Sequence, residues 1–121
     1  MAYDYSGPWS ATTGHQANLR SSPIKPNSTS FSTDVAIEDY ISKGLPSTKI
    51  ILGMPLYGRA FQQTGGLSQT YYGAGNGSWG QGMWDVKALP RPGAMDYHNT
   101  TVGASFSYDI EAQEFVSYDS P

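Results

Sequence analysis

Apolar positions recur along this chain at two different spacings, and the change between them divides it. Ala36, Ile37, Tyr40 and Ile41 lie three and four residues apart, which gathers them on one face of a helix. Ser32 or Thr33 can cap that helix and Asp34 suits its positive first turn. Lys43, Gly44 and Pro46 close it, so the pattern predicts a helix over 33–43. Lys49-Ile50-Ile51-Leu52-Gly53-Met54 is a continuous apolar run too short for a second helix. It predicts a strand buried on both faces, as in a parallel sheet covered by helices. Met1 to Tyr5 reads as the end of another strand. Strand, loop, helix, strand is a βαβ unit, right-handed by strong steric default.

After Tyr57 the helical spacing disappears. Leu67 to Gly82 is dominated by Gly, Ser, Gln and Tyr, and short strand-like runs follow at Met83–Val86, Ala104–Tyr108 and Glu114–Tyr118. Asp109 to Gln113 supplies a turn between the last two, which predicts an antiparallel hairpin. The chain thus divides into an α/β half and a small antiparallel sheet. Ser6 to Ser30, between the first strand and the helix, is polar and irregular; loops of that length are usually functional or disordered. It carries Trp9, which is too apolar to leave in water without a use. Asp119-Ser120-Pro121 reads as a helix start, a capping residue with Pro soon after it. A chain opening on the end of a buried strand and closing on a helix cap is expected to be a piece of a larger domain.

Composition narrows the function classes. A chain of 121 residues buries one modest core. Only 38% is hydrophobic, while 14 Gly, 8 Pro and 13% aromatics point to a loop-rich protein with aromatic-lined surfaces. Seven basic against ten acidic residues give a net charge of −3 with no basic run, so the positive footprint of a nucleic-acid binder is missing. No apolar stretch approaches the ~20 residues of a membrane span. Cysteine is absent, which excludes disulfides. His15 and His98 have no partner at metal-ligand spacing, and the glycines from 73 to 77 lack the spacing of a phosphate loop. Neither a metal nor a cofactor is expected. The triplets Asn27-Ser28-Thr29, Asn76-Gly77-Ser78 and Asn99-Thr100-Thr101 favour a secreted, extracellular protein.

The candidate chemistry sits at two strand ends. Tyr3 with Asp4, and Tyr57 with Arg59, place groups that can hydrogen-bond beside apolar runs. Ionisable side chains are costly there unless paired, so the two clusters are expected to face one cleft. The plainer alternative has Asp4 capping a turn and Arg59 in a surface ion pair worth under ~1 kcal/mol. Trp79 and Trp84 fit a core as readily as a binding surface, and Tyr71 and Tyr72 fit loop packing.

Taken together, Met1-Ala2-Tyr3-Asp4-Tyr5, the Trp9 loop running into Gly14-His15, the capped helix with Tyr40, Gly53-Met54-Pro55-Leu56-Tyr57-Gly58-Arg59-Ala60-Phe61, the Gly-rich stretch with Trp79 and Met83-Trp84-Asp85, and Ser117-Tyr118-Asp119 resemble the family-18 glycoside hydrolases, the fungal chitinases especially. Each motif alone is weak; in this order they are specific and cover nearly the whole chain. The resemblance implies part of a (β/α)₈ TIM barrel plus a small α+β insertion domain. Residues 1–55 would hold barrel strand six, helix six and strand seven, 56–118 the insertion, and 119–121 the start of the next barrel helix. It implies a secreted monomer acting on chitin or chitooligosaccharides, in which the substrate's own 2-acetamido oxygen is the nucleophile. Tyr3 would orient that group, and Asp4 would bond a neighbouring sugar and pair with Arg59. Met1 and Met54 would form an apolar floor, Tyr57 and Arg59 would line the cleft, Trp9 would stack on a sugar, and Trp84 with Asp85 would form a wall. The family's acid lies in an Asp-x-x-Asp-x-Asp-x-Glu run, and this chain has no such run. Two other readings stay open: a piece of a non-hydrolytic chitin-binding lectin on the same fold, and a stand-alone fragment without activity. The residue at the family's acid position would separate the first of these from the enzyme.

Overall fold

The computed structural model describes residues 1–120, and Pro121 lies outside them. One helix, α1 (Thr33–Ser42), precedes five strands: β1 (Tyr57–Phe61), β2 (Met83–Asp85), β3 (Met95–Asn99), β4 (Ala104–Asp109) and β5 (Glu114–Tyr118). The strands form one antiparallel sheet in the order β2-β1-β5-β4-β3. The hairpin expected from the last two runs is present, with Asp109 opposite Glu114. Its turn is closed by Asp109 Oδ1, which accepts the Glu111 and Ala112 N–H groups.

Cross-strand register sorts the side chains into two faces. On one face Tyr97, Phe106, Phe115 and Phe61 form a row of rings across β3, β4, β5 and β1, with centroids 4.9, 5.1 and 5.9 Å apart. Phe61 and Phe115 are fully buried there. On the other face Ala60, Val116 and Tyr118 make a small core, covered by Trp84, Val86 and Leu89. Gly58 is needed on that side: a Cβ on it would meet the Leu89 and Val116 side chains at 2.7 Å.

The segment Thr13–Asn18 is buried, and its polar residues are held by distant backbone. Thr13 N–H donates to the Gln69 carbonyl, and Thr13 Oγ1 donates to Gly66 O at 2.6 Å. Asn18 Nδ2 donates to the carbonyls of Arg20 and Phe31, and Asn18 O accepts the Thr33 N–H that opens α1. The long polar stretch is therefore an ordered wall built on the aromatic face of the sheet.

Three expectations change. No strand forms at 49–54: Ser47–Lys49 is a 3-10 turn, and Ile51, Leu52 and Met54 are exposed, Ile51 to 93%. A strand needs pairing along its edge, and here the Ala2 N–H donates to Gly53 O at 2.9 Å without a ladder forming along 49–54. Met1 to Tyr5 is likewise not a strand, and Asp4 adopts a left-handed φ of 61°. The α1 stripe is only partly covered, with Tyr40 57% and Ile41 46% exposed, although Ser32 precedes α1 and Gly44 ends it at φ 97° as read from the sequence. The helix start read at Asp119-Ser120-Pro121 turns on Pro121, which lies outside the described residues; Asp119 and Ser120, ahead of it, are in no helix.

Candidate functional site

Asp4 and β1 meet as the two-cluster reading requires. Tyr57 OH donates to Asp4 Oδ1 at 2.6 Å, and Arg59 Nε donates to the same oxygen at 2.9 Å. Alternation along β1 puts Tyr57 and Arg59 on one face, so a single carboxylate oxygen gathers both. Asp is among the residues that tolerate a left-handed backbone, a conformation costing on the order of 1 kcal/mol. Here that conformation lies at the residue where the two donors converge.

The electrostatics fix the protonation states. Partial burial opposes charge on Asp4, but the hydrogen bonds from Arg59 and Tyr57 and the Arg59 charge outweigh it. The Asp4 carboxyl is held below the ordinary carboxylate range. Burial and the bond to Asp4 push the Tyr57 phenol well above its ordinary value, so it stays a donor. Asp4 is therefore an anion at neutral pH, suited to accept a hydroxyl proton and unsuited to act as a general acid.

Aromatic surface flanks the pair. The Arg59 guanidinium lies 5.1 Å from the Trp9 ring centre and 5.6 Å from that of Tyr57, within cation–π range. Tyr3 packs edge-on to Tyr57 at 6.2 Å. Trp9 is 60% exposed and folds over Gly7, where a Cβ would stand 2.4 Å from its ring. An open groove of about 500 Å³ runs beside it, lined also by Tyr5, Ser10, Thr12, Pro26 and Asn27. A flat apolar ring next to fixed donors and an anionic acceptor is a composition that recognises a hydroxylated ring: one face for C–H contact, directional groups for the hydroxyls.

Tyr3, Asp4, Trp9, Tyr57 and Arg59 are thus brought together; Asp85 lies beside Tyr57 across the β1–β2 ladder, and Trp84, Met1 and Met54 lie away from the cluster. Trp84 is the register partner of Gly58, on the opposite face, where the Arg91 guanidinium sits 3.9 Å above its ring. Asp85 is the partner of Tyr57, but it accepts the Lys87 N–H and pairs with Lys87 Nζ at 3.5 Å, bonds that serve its own turn. Met1 is 91% exposed; Met54 is 63% exposed and lines a separate recess with Leu19, His98 and Asp119. Among the described residues no group of three His, Cys, Asp or Glu side chains could hold a metal, and no helix is long and apolar enough to cross a membrane.

One supporting residue, Gln16, escaped the sequence reading, and a second, Tyr71, does the loop packing read for it in a specific way. Tyr71 packs edge-on to Phe61 at 4.8 Å, and its hydroxyl reaches the carbonyls of Pro8 at 3.0 Å and Ser10 at 2.5 Å, clamping the turn that carries Trp9. Gln16, fully buried, donates its N–H to Ser117 Oγ and its Nε2 to Tyr57 O at 2.7 Å, fixing the start of β1. Both act on backbone carbonyls distant in sequence, which leaves no local signal to find those bonds by.

Comparison with known proteins places these features in context. The family model described as "Glycosyl hydrolases family 18" matches residues 1–121. The chain is 50% identical to "Chitinase 1" of Aphanocladium album and 48% identical to "Endochitinase 1" of Metarhizium robertsii, each over all of this chain. It spans only 29% and 28% of those two relatives. Among solved structures, chitinase ChiA74 from Bacillus thuringiensis superposes with a TM-score of 0.88 at 30% identity, over 99% of this chain and 23% of that one. A Cycas revoluta GH18 chitinase, solved in complex with (GlcNAc)3, gives 0.82 at 30% identity over 99% of this chain and 34% of that one.

Proposed function

The chain belongs to family 18 of the glycosyl hydrolases, and from that premise we propose that it forms one side of the substrate cleft of a secreted chitinase cleaving β-1,4-linked N-acetylglucosamine polymers. The observation that carries this reading is the convergence of Tyr57 and Arg59 on Asp4 beside the exposed face of Trp9. Residues 1–55 are the part of the barrel that brings Tyr3, Asp4 and Trp9. Residues 56–118 are the insertion, whose first strand brings Tyr57 and Arg59.

In this reading the sugar's acetamido oxygen attacks the anomeric carbon with retention of configuration. Tyr3 OH donates to the acetamido group, while Asp4, held anionic by its two donors, accepts from a sugar hydroxyl. Trp9 stacks on a sugar beyond the reacting one, in the groove it borders. The Asp-x-x-Asp-x-Asp-x-Glu run that carries the family's acid is absent from these 121 residues and Asp4 does not replace it, so the chain alone should not turn over a fluorogenic chitobioside.

The test uses the complete enzyme and soluble chitooligosaccharides. Tyr3→Phe should lower kcat by about 10²–10³, because its bond strengthens as the acetamido oxygen becomes the nucleophile. Trp9→Ala should instead raise KM for long substrates and leave cleavage of short ones nearly unchanged. If both variants raised KM alone, the role of Tyr3 would be wrong. If the complete protein bound chitooligosaccharide but cleaved none, the lectin reading would replace the enzyme.

A further inference from the structure

Three Asn-x-Ser/Thr triplets are present, and the fold treats them differently. At Asn27 the following residues are committed: Ser28 and Thr29 are buried, Ser28 Oγ donates to Lys25 O, and Thr29 Oγ1 accepts the Ser22 N–H. At Asn76 the middle residue, Gly77, is packed so closely that a Cβ would meet Gly80 O at 2.1 Å, and Ser78 Oγ accepts the Asp85 N–H. At Asn99 all three residues of the triplet are exposed. Asn99 ends β3, and its Oδ1 accepts the Thr101 N–H at 3.0 Å and the Val102 N–H at 3.4 Å. Those bonds hold the carbonyl side of the amide and leave Nδ2 pointing away from them. Neither Nδ2 nor Thr101 Oγ1 has a hydrogen-bond partner among the described residues. The turn itself is anchored from below: Val102 is buried, and its carbonyl accepts the Leu19 and Arg20 N–H groups.

We propose that Asn99 is a site of N-linked glycosylation. Asn99 Nδ2 attacks the anomeric carbon of a lipid-diphosphate-linked oligosaccharide. The bond from that carbon to the diphosphate oxygen breaks, its electron pair leaves with the diphosphate, and Nδ2 gives up one proton as the N–C bond forms. Whether attachment precedes or follows folding, the folded chain must leave room for the sugar and keep its own bonds. Asn99 alone of the three has its amide nitrogen and the hydroxyl two residues on both uncommitted in an exposed turn. A glycan there also sets a bulky polar group at the end of β3, the open edge of the sheet, whose five residues are all exposed.

The inference rests on the secreted reading for its occurrence in the native cell, and the test removes that dependence. The 121-residue chain is expressed behind a cleavable secretory leader in a glycosylating eukaryotic host. Lumenal and secreted pools are digested with a peptide N-glycosidase in heavy-oxygen water, and each site is read by mass spectrometry. Label is expected at residue 99 in most molecules and in few at residue 27. Thr101→Ala keeps the backbone N–H that Asn99 Oδ1 accepts but destroys the triplet, so it should remove the label; Thr101→Ser should retain it. An unlabelled residue 99 in both pools, or more label at residue 27 or 76 than at 99, would overturn the proposal. Label at 99 in this host, with none on the protein from its native cell, would sink the secreted reading and leave the site standing.

Discussion

Breaking the Asp4–Arg59 pair is the perturbation that separates a built site from a surface contact. The Arg59 side chain is 13% exposed and that of Asp4 36%, with the Nε–Oδ1 distance at 2.9 Å. A charge-assisted bond in a buried setting contributes roughly 1.5–3 kcal/mol, and exposed pairs give ~0.2–1. With one partner well covered and the other open for a third of its surface, solvent screening moves the pair between these ranges, to about 1–1.5 kcal/mol of coupling. The assay is a double-mutant cycle of Asp4→Asn and Arg59→Leu, with stabilities from urea unfolding of the 121-residue chain. Asp4→Asn alone should cost more than the coupling, because it also weakens the Tyr57 bond and leaves Arg59 charged without its anion. The coupling should depend on pH in one direction. The folded Asp4 titrates below its ordinary value of 3.8, so the stabilisation is complete above that value and is lost as pH falls through the folded value. Coupling within about 0.3 kcal/mol of zero at neutral pH would refute the argument and return the pair to an ordinary surface contact.

Two further predictions concern what holds the site. Phe115→Ala removes a fully buried ring from the middle of the aromatic row and should cost about 3–5 kcal/mol in urea unfolding, a large share of a typical domain's stability. A cost below about 1 kcal/mol would mean that the row is not the core. His15 is buried without a partner for Nδ1, and burial brings its folded value down from 6.5 to about 4. The neutral ring therefore favours the folded state fully above 6.5, and that contribution is lost as pH falls from 6.5 towards 4. The loss is on the order of 3 kcal/mol. Ring-proton NMR showing His15 titrating near its ordinary value in the folded chain would contradict this.

How much of the fold could be read from the sequence depended on how local the forces were. Helix α1 was legible because its signals are local: Ser32 holds the N-cap position, although its hydroxyl donates to Asp34 Oδ1 and caps no N–H, Lys43 at the C-cap pairs with Asp39, and Gly44 ends it. The β4–β5 hairpin was legible because Asp109 closes its own turn and Phe106 and Tyr108 alternate. β3 was missed: it follows Pro90, Pro92 and Gly93, is exposed at all five residues, and owes its conformation to pairing with β4. The run at 49–54 failed in the opposite sense, since β-prone residues form no strand without a partner along their edge. At the site, the pairing of Asp4 with Tyr57 and Arg59 followed from the cost of leaving ionisable groups unpaired beside apolar runs, although the two strands expected to end there do not form. Family resemblance gave Trp9 its place. Gln16 was illegible, and Tyr71 was legible only as loop packing, because an amide or phenol bonded to a distant carbonyl looks, in sequence, like any loop residue. Trp84 shows how face is decided: with Tyr57 and Arg59 on one side of β1, the partner of Gly58 has to point the other way.

The most direct measurement of the central claim is a crystal structure of the complete protein with a chitooligosaccharide bound. The account predicts a sugar ring against the exposed face of Trp9. It also predicts a second sugar within hydrogen-bond distance of Asp4, with the Tyr57 and Arg59 bonds to Asp4 Oδ1 kept and Tyr3 OH on the acetamido group. An oligosaccharide bound elsewhere, with Asp4, Tyr57 and Arg59 facing only solvent or protein, would contradict it.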